Sequence, residues 1–203
     1  MNRIRRHFLL PVFCLLVCAL PRVRAATAVI PGAAPNLGQT YLSLSDYMGG
    51  YSKYFGHELR GPGVKLDWAF TQHGFLMASY RRLEVLGTDT LEHRAALGVG
   101  YATDPTGQAS AYLSAEFVRS TLHPPGLARV DDYWKMSYGI RQNIEQYLEL
   151  DFGVYGEINQ HFGSRRLGAF LGFGVNVGPF QLATDYDHNS DVNALVFRLR
   201  CFF

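Results

Sequence analysis

The last twelve residues, Val192 to Phe203 (VNALVFRLRCFF), constrain the fold more than any other stretch of the chain. Alternate residues counted back from the end are Phe203, Cys201, Leu199, Phe197 and Leu195, all apolar. Those between them are Phe202, Arg200, Arg198, Val196 and Ala194. Successive side chains of a strand point to opposite faces, so the segment reads as a strand with hydrocarbon on one side and polar groups on the other. A soluble sandwich produces the same alternation. The remaining residues have to decide between the two.

The first 25 residues have the form of a secretory signal. Arg3, Arg5 and Arg6 make a positive start, Phe8 to Leu20 is apolar, and Val23 and Ala25 occupy the positions that precede a cleavage site. The apolar run is short of the roughly 20 residues a membrane-spanning helix needs. Residues 26–38, small and interrupted by proline, read as a periplasmic lead-in to a single domain over 39–203. Five of the 19 basic residues precede the cleavage site and no acidic residue does. The mature chain therefore has 14 basic against 17 acidic residues, and the whole-chain charge of +2 makes no case for a nucleic-acid partner. Cys14 and Cys18 leave with the signal, so Cys201 has no intramolecular partner in the mature chain.

Short alternating segments fill the rest. Residues 39–48 set Leu42 and Leu44 against Tyr41, Ser43 and Ser45. Residues 64–71 set Val64, Leu66, Trp68 and Phe70 against Lys65, Asp67 and Ala69. Residues 91–102 set Ala95, Leu97, Val99 and Tyr101 against Arg94, Ala96, Gly98 and Gly100. The same rhythm recurs over 109–118, 133–141, 147–157, 167–177 and 180–187. Residues 75–86 resist phasing because Arg81 and Arg82 are adjacent.

With the last strand this makes ten. Between them, short turns at 72–74, 103–108, 142–146 and 178–179 alternate with connectors that are mostly longer, at 49–61, 119–132 and 158–166. Short turns on one side and long loops on the other, with an even strand count, characterise outer-membrane barrels. The fold expected is an all-β, antiparallel, up-and-down transmembrane β-barrel of ten strands, eight being the alternative count because of the unphased third segment.

In such a barrel the polar face points into the lumen. The phased strands place Lys65, Arg94, Lys135, Arg141, Arg198 and Arg200 there, together with Asp67, Glu116, Glu149, Asp151, Glu157 and Asp185. Equal numbers of each sign suit paired charges filling a narrow lumen better than a pore lined by one sign. Folding the hairpins about their turns sets Arg94, Glu116 and Lys135 side by side as one rung near the outer end.

Catalytic chemistry is sparse. A rim active site needs a carboxylate or hydroxyl converging with a histidine, and the candidates are Asp89, His93, Asp187 and His188, with His57, His123 and His161 on other loops. No HxH or HxxxH spacing suggests a metal site. No cofactor motif is present, and the expectation is a non-enzymatic protein.

The segments PGVKLDWAF (62–70), RAALGVGY (94–101), YWKMSYGIR (133–141) and LELDFGVYG (148–156), with the carboxy terminus, resemble a small barrel family of xanthomonad-type bacteria, once discussed as quorum-sensing-associated secreted proteins. That resemblance, from about Tyr41 to Phe203, implies an exported outer-membrane barrel with no enzymatic residues. Cys201 and the two arginines of the last strand depart from it. The terminal phenylalanine also resembles the aromatic carboxy-terminal signal by which barrels are recognised for assembly, which assigns that role to Phe197, Leu199, Cys201 and Phe203. The partners expected are outer-membrane lipid, the assembly machinery and a ligand at the external loops. The alternatives are an outer-membrane enzyme with a rim site and a small pore for a hydrophilic or lipidic solute.

Overall fold

A computed structural model of the chain describes residues 40–51, 57–104, 108–124, 128–145, 147–159 and 165–203. Residues 1–25 and 26–38, expected to be a signal segment and a lead-in, and His161 lie outside these residues. Ten strands follow in chain order: β1 (Tyr41–Tyr51), β2 (Glu58–Ala69), β3 (Gly74–Val85), β4 (Leu91–Ala102), β5 (Ala109–His123), β6 (Arg129–Ile144), β7 (Leu148–Asn159), β8 (Arg165–Val177), β9 (Phe180–Asn189) and β10 (Val192–Phe202). Each pairs antiparallel with its sequence neighbours and β1 pairs with β10, so the sheet closes and no edge is left unpaired. The count is ten, not eight.

The register fixes the tilt. Met48 lies opposite Leu195, then follow Tyr186, Leu171, Phe152, Ile140 and Ala111. Continued through the remaining pairs, this path returns to β1 about twelve residues earlier, a stagger that tilts ten strands by about 40°. Tyr41 and Phe202 pair at the end of the barrel where β2 joins β3, β4 joins β5, β6 joins β7 and β8 joins β9. We call this the terminal end and the opposite one the loop end. At Gly178, the first residue of the two-residue β8–β9 turn, φ is +60°, a conformation that glycine adopts without penalty.

Sequence reading expects long connectors at the loop end, at 49–61, 119–132 and 158–166. The strands instead run on into them. The β5–β6 ladder continues to Leu122 opposite Arg129, leaving only 124–128 between the strands. Beyond Phe117 and Trp134 the outward residues turn polar, with Arg119 bound to Asp132 through both Nε (2.9 Å) and Nη2 (2.8 Å). Backbone pairing outlasts the apolar alternation there, which is why the alternation alone ends the strands too early.

β3 explains its own illegibility. Phe75, Met77, Leu83 and Val85 face inward and are buried, while Leu76 and Tyr80 are exposed outside. Apolar residues on both faces erase the period-two signal. At the loop end Leu59, Leu83 and Val85 pack with Tyr47, Val192, Ala194 and Val196 inside the barrel, and at the terminal end Phe75 and Met77 pack with Ala102 and Tyr112.

Inward glycines make room for rings on the neighbouring strand. Gly139 lies opposite Tyr112, Gly168 opposite Tyr155 and Gly100 opposite Phe75. A Cβ at Gly168 would stand 2.3 Å from the Tyr155 ring, and one at Gly139 2.6 Å from the Tyr112 ring. Flat rings lie down on bare backbone, which lets a narrow barrel hold so many large inward residues.

Candidate functional site

The exterior decides what surrounds this barrel. Leu97, Val99, Leu113, Met136, Val154, Leu167, Leu171 and Val177 point outward and are largely exposed. On β6 the outward apolar residues run from Trp134 through Met136, Tyr138 and Ile140 to Ile144, interrupted by Gln142. At about 3.3 Å per residue and about 40° of tilt this rises about 25 Å, the height of the apolar band of an outer-membrane barrel. Water does not cover such a band, and lipid does. The chain is a transmembrane β-barrel. Its surface faces membrane lipid, and its place is the outer membrane of a Gram-negative bacterium. Aromatic residues flank the band: Tyr80, Trp134 and Tyr186 toward the loop end, and Phe70, Tyr101, Tyr147 and Phe203 toward the terminal end, all exposed.

Inside, the charged residues fall into three groups along the axis. At the terminal end Arg200, 1% exposed, donates from Nη1 to Glu149 Oε1 at 2.8 Å and to Gln181 Oε1 at 2.6 Å. Gln181 in turn donates to Asn176 Oδ1 at 2.8 Å. Arg141 lies 3.4 Å from Glu149 and 3.2 Å from Asp151, whose other oxygen accepts from the Tyr112 hydroxyl at 2.9 Å. The two guanidinium groups sit over the Tyr41 and Tyr112 rings, at 5.4 and 5.9 Å. β10 and β7 are not neighbours in the sheet, so Arg200–Glu149 joins their inward faces past β8 and β9 inside the barrel. Just above, Lys65 pairs with Asp67 at 3.0 Å, Asp67 also accepts from the Tyr41 hydroxyl, and Arg198 pairs with Asp185 at 2.5 Å.

At the loop end Arg94 binds Glu92 on its own strand at 2.6 Å, and the Ser120 hydroxyl donates to the same carboxylate at 2.6 Å. Arg166 reaches Glu157 at 3.7 Å and Asp191 at 2.8 Å. Between these levels lie Arg81, Glu116, Lys135 and Asp187. Lys135 sits over the Tyr155 ring at 4.0 Å and Arg81 over the Tyr47 ring at 5.7 Å. The Tyr155 hydroxyl donates to Asp187 at 2.5 Å and accepts from Asn189 at 2.9 Å.

All twelve charges assigned to the lumen from sequence lie on inward positions of their strands, and pairs join most of them. The rung of Arg94, Glu116 and Lys135 needs correction. Glu116 is directly opposite Lys135, but Arg94 is opposite Ser120, four residues along β5 from Glu116. The β4–β5 turn is lopsided: Thr103 bonds to Ala111 and the ladder resumes at Ala102 opposite Tyr112, which slides β5 past its symmetric position. Sequence reasoning missed Arg81, Glu92, Arg166 and Asp187, two more of each sign. Glu92 and Asp187 share the parity of Arg94 and Asp185, which is the available signal; Arg166 falls in the expected connector 158–166, and Arg81 on the unphased strand.

Of the carboxy-terminal residues, Phe197 and Phe203 are about half exposed on the outer face with Leu199, while Cys201 on the same face is buried. The expectation that Cys201 is solitary turns on Cys14 and Cys18, which lie outside the described residues. Of the rim candidates among the described residues, His93 and His123 come together, with ring centroids 5.5 Å apart, while Asp187 and His188 point to opposite faces. Asp187 faces inward onto Tyr155, and His188 faces outward, its Nδ1 against Asn193. His93 is outside, its Nδ1 2.6 Å from the Tyr80 hydroxyl and its ring against His123. Among the described residues no cluster of three metal-ligating side chains occurs.

Two of the lumen's cavities are lined by described residues. The larger, about 140 Å³, lies above the Arg141–Glu149–Arg200 cluster and includes Lys65, Asp67, Asp185 and Arg198 in its wall. The smaller, about 60 Å³, lies toward the loop end beside Arg94, Tyr133 and Glu157.

No family model and no curated protein matches the sequence. Among solved structures the chain is similar to the N-terminal β-barrel domain of OprF from Pseudomonas aeruginosa (12% identity, TM-score 0.45, covering 79% of this chain and 98% of that one). It is also similar to Neisserial surface protein A (13%, 0.41, 81% and 96%) and to the KdgM porin (8%, 0.47, 79% and 99%).

Proposed function

We propose that this protein is a structural or surface-interacting outer-membrane barrel whose lumen is closed at the terminal end, without catalytic activity. The observation that carries the reading is the ion-pair cluster of Arg200, Glu149, Arg141 and Asp151, held by Gln181 and Tyr112 across the narrow interior. Balanced charges neutralise one another and leave no single-signed path for ions. The projecting ends of β5 and β6 carry the polar residues offered to an extracellular ligand. Phe197, Leu199, Cys201 and Phe203 form the outward edge read by the assembly machinery, and the resemblance to the xanthomonad-type barrels belongs to the same reading. Liposomes containing the purified barrel test it: they should swell no faster in small sugars than empty liposomes, and rapid swelling would contradict it.

A small pore is the second reading, and the two lumenal cavities favour it. It requires the terminal-end cluster to open, which the swelling assay registers.

A further inference from the structure

The lumen holds one level at which the pairing of charges stops. Below it Lys65–Asp67, Arg198–Asp185, Arg141–Asp151 and Arg200–Glu149 are joined, and above it Arg94–Glu92 and Arg166–Glu157. Among the described residues Arg81, Lys135, Glu116 and Asp187 form no ion pair, although Glu116 and Lys135 are cross-strand neighbours. Both cations rest over tyrosine rings instead. These same four residues, with Ser79, line both cavities and mark their junction. All four are partly exposed to the lumen, and Asp187 accepts from the Tyr155 hydroxyl. Two cations and two anions, none joined to another, stand around one space that a guest of matching charges can enter.

We propose that this junction binds a small dipolar solute, one carrying a carboxylate and an ammonium group on a short chain. The carboxylate meets Arg81 and Lys135, and the ammonium meets Glu116 and Asp187. The choice of a zwitterion follows from the charge balance, because a lone anion would face two carboxylates and a lone cation two basic groups. Size agrees: each space is larger than a single water needs, and together they admit a short-chain molecule. The Arg141–Glu149–Arg200 cluster closes the terminal end, so the solute enters and leaves by the loop end. The inference rests on the closed-lumen reading and adds a bound ligand to it.

Calorimetric titration of the full chain in detergent micelles with glycine, acetate and methylammonium tests the proposal, and differs from the swelling assay in measuring binding rather than passage. Saturable binding of glycine is expected, tighter than either single-charge probe by about tenfold or more, the worth of one charged contact. Glu116→Gln and Arg81→Gln should each weaken glycine by a similar factor while leaving the heat-modifiable gel shift of the folded barrel unchanged. Acetate binding as well as glycine would make the level an anion site and overturn the proposal, as would methylammonium binding as well. No saturable binding by any probe would mean that water alone solvates the four charges, and would overturn it too.

Discussion

Arg200 on the closing strand and Glu149 on β7 meet at 2.8 Å inside the barrel, with β8 and β9 between their strands. The contact belongs to no hairpin and follows from closure alone, because only a sheet rolled on itself brings these inward faces together. Both groups are almost wholly withdrawn from solvent. Removing Arg200 leaves Glu149 its longer contact with Arg141, at 3.4 Å, as its counter-ion. Arg200→Ala should destabilise the barrel by about 3–5 kcal/mol, read as a lower urea midpoint for loss of the gel shift. The double variant Arg200→Met with Glu149→Gln should recover much of that loss, because the group that loses its closer partner is then neutral.

The Tyr155 ring on Gly168 makes a second test. Gly168→Val places side-chain atoms in the space of that ring and displaces the hydroxyl that holds Asp187 and Asn189. The expected cost is about 1–3 kcal/mol, as for other overpacked sites. Gly156→Val is the matched control, since a Cβ there meets nothing nearer than 3.6 Å. It should unfold like the native chain.

Leu97 is 70% exposed within the lipid band. Leu97→Arg should cost about 2–4 kcal/mol in lipid vesicles, as a basic residue does at the membrane midplane. Val130→Arg, beyond the Trp134 level, should cost almost nothing. Equal costs at the two sites would mean that the band lies elsewhere on the barrel.

Phe203 contributes one backbone hydrogen bond, to Thr40 at 3.0 Å, and an exposed ring. Its deletion should lower the amount of folded barrel in outer-membrane fractions while leaving refolding of the purified chain into detergent nearly intact. That split separates recognition by the assembly machinery from stability. An equal loss in both settings would assign Phe203 to stability instead.

The sequence makes the inward and outward faces legible, since Lys65 against Leu66 or Arg198 against Phe197 differ in what water and lipid tolerate. Closure into ten strands is legible from the recurrence of that contrast. Depth is less so. The side to which Arg94 belongs is plain, but its neighbour depends on a turn whose asymmetry is set by Thr103 and Ala111, and no residue pattern announces it. Arg200 with Glu149 is not legible at all, because strands 51 residues apart in sequence meet only through the stagger of the whole sheet. β3 hides its facing for a physical reason: Leu83 and Val85 help fill the loop end from inside, so both faces are apolar.

Closure of the lumen is the central claim, and single-channel recording tests it most directly. The native chain in a planar bilayer should give no stable conductance steps, and the Arg200→Ala and Glu149→Ala variants should give brief openings as the terminal-end cluster loosens. Stable, reproducible steps from the native chain would contradict the account.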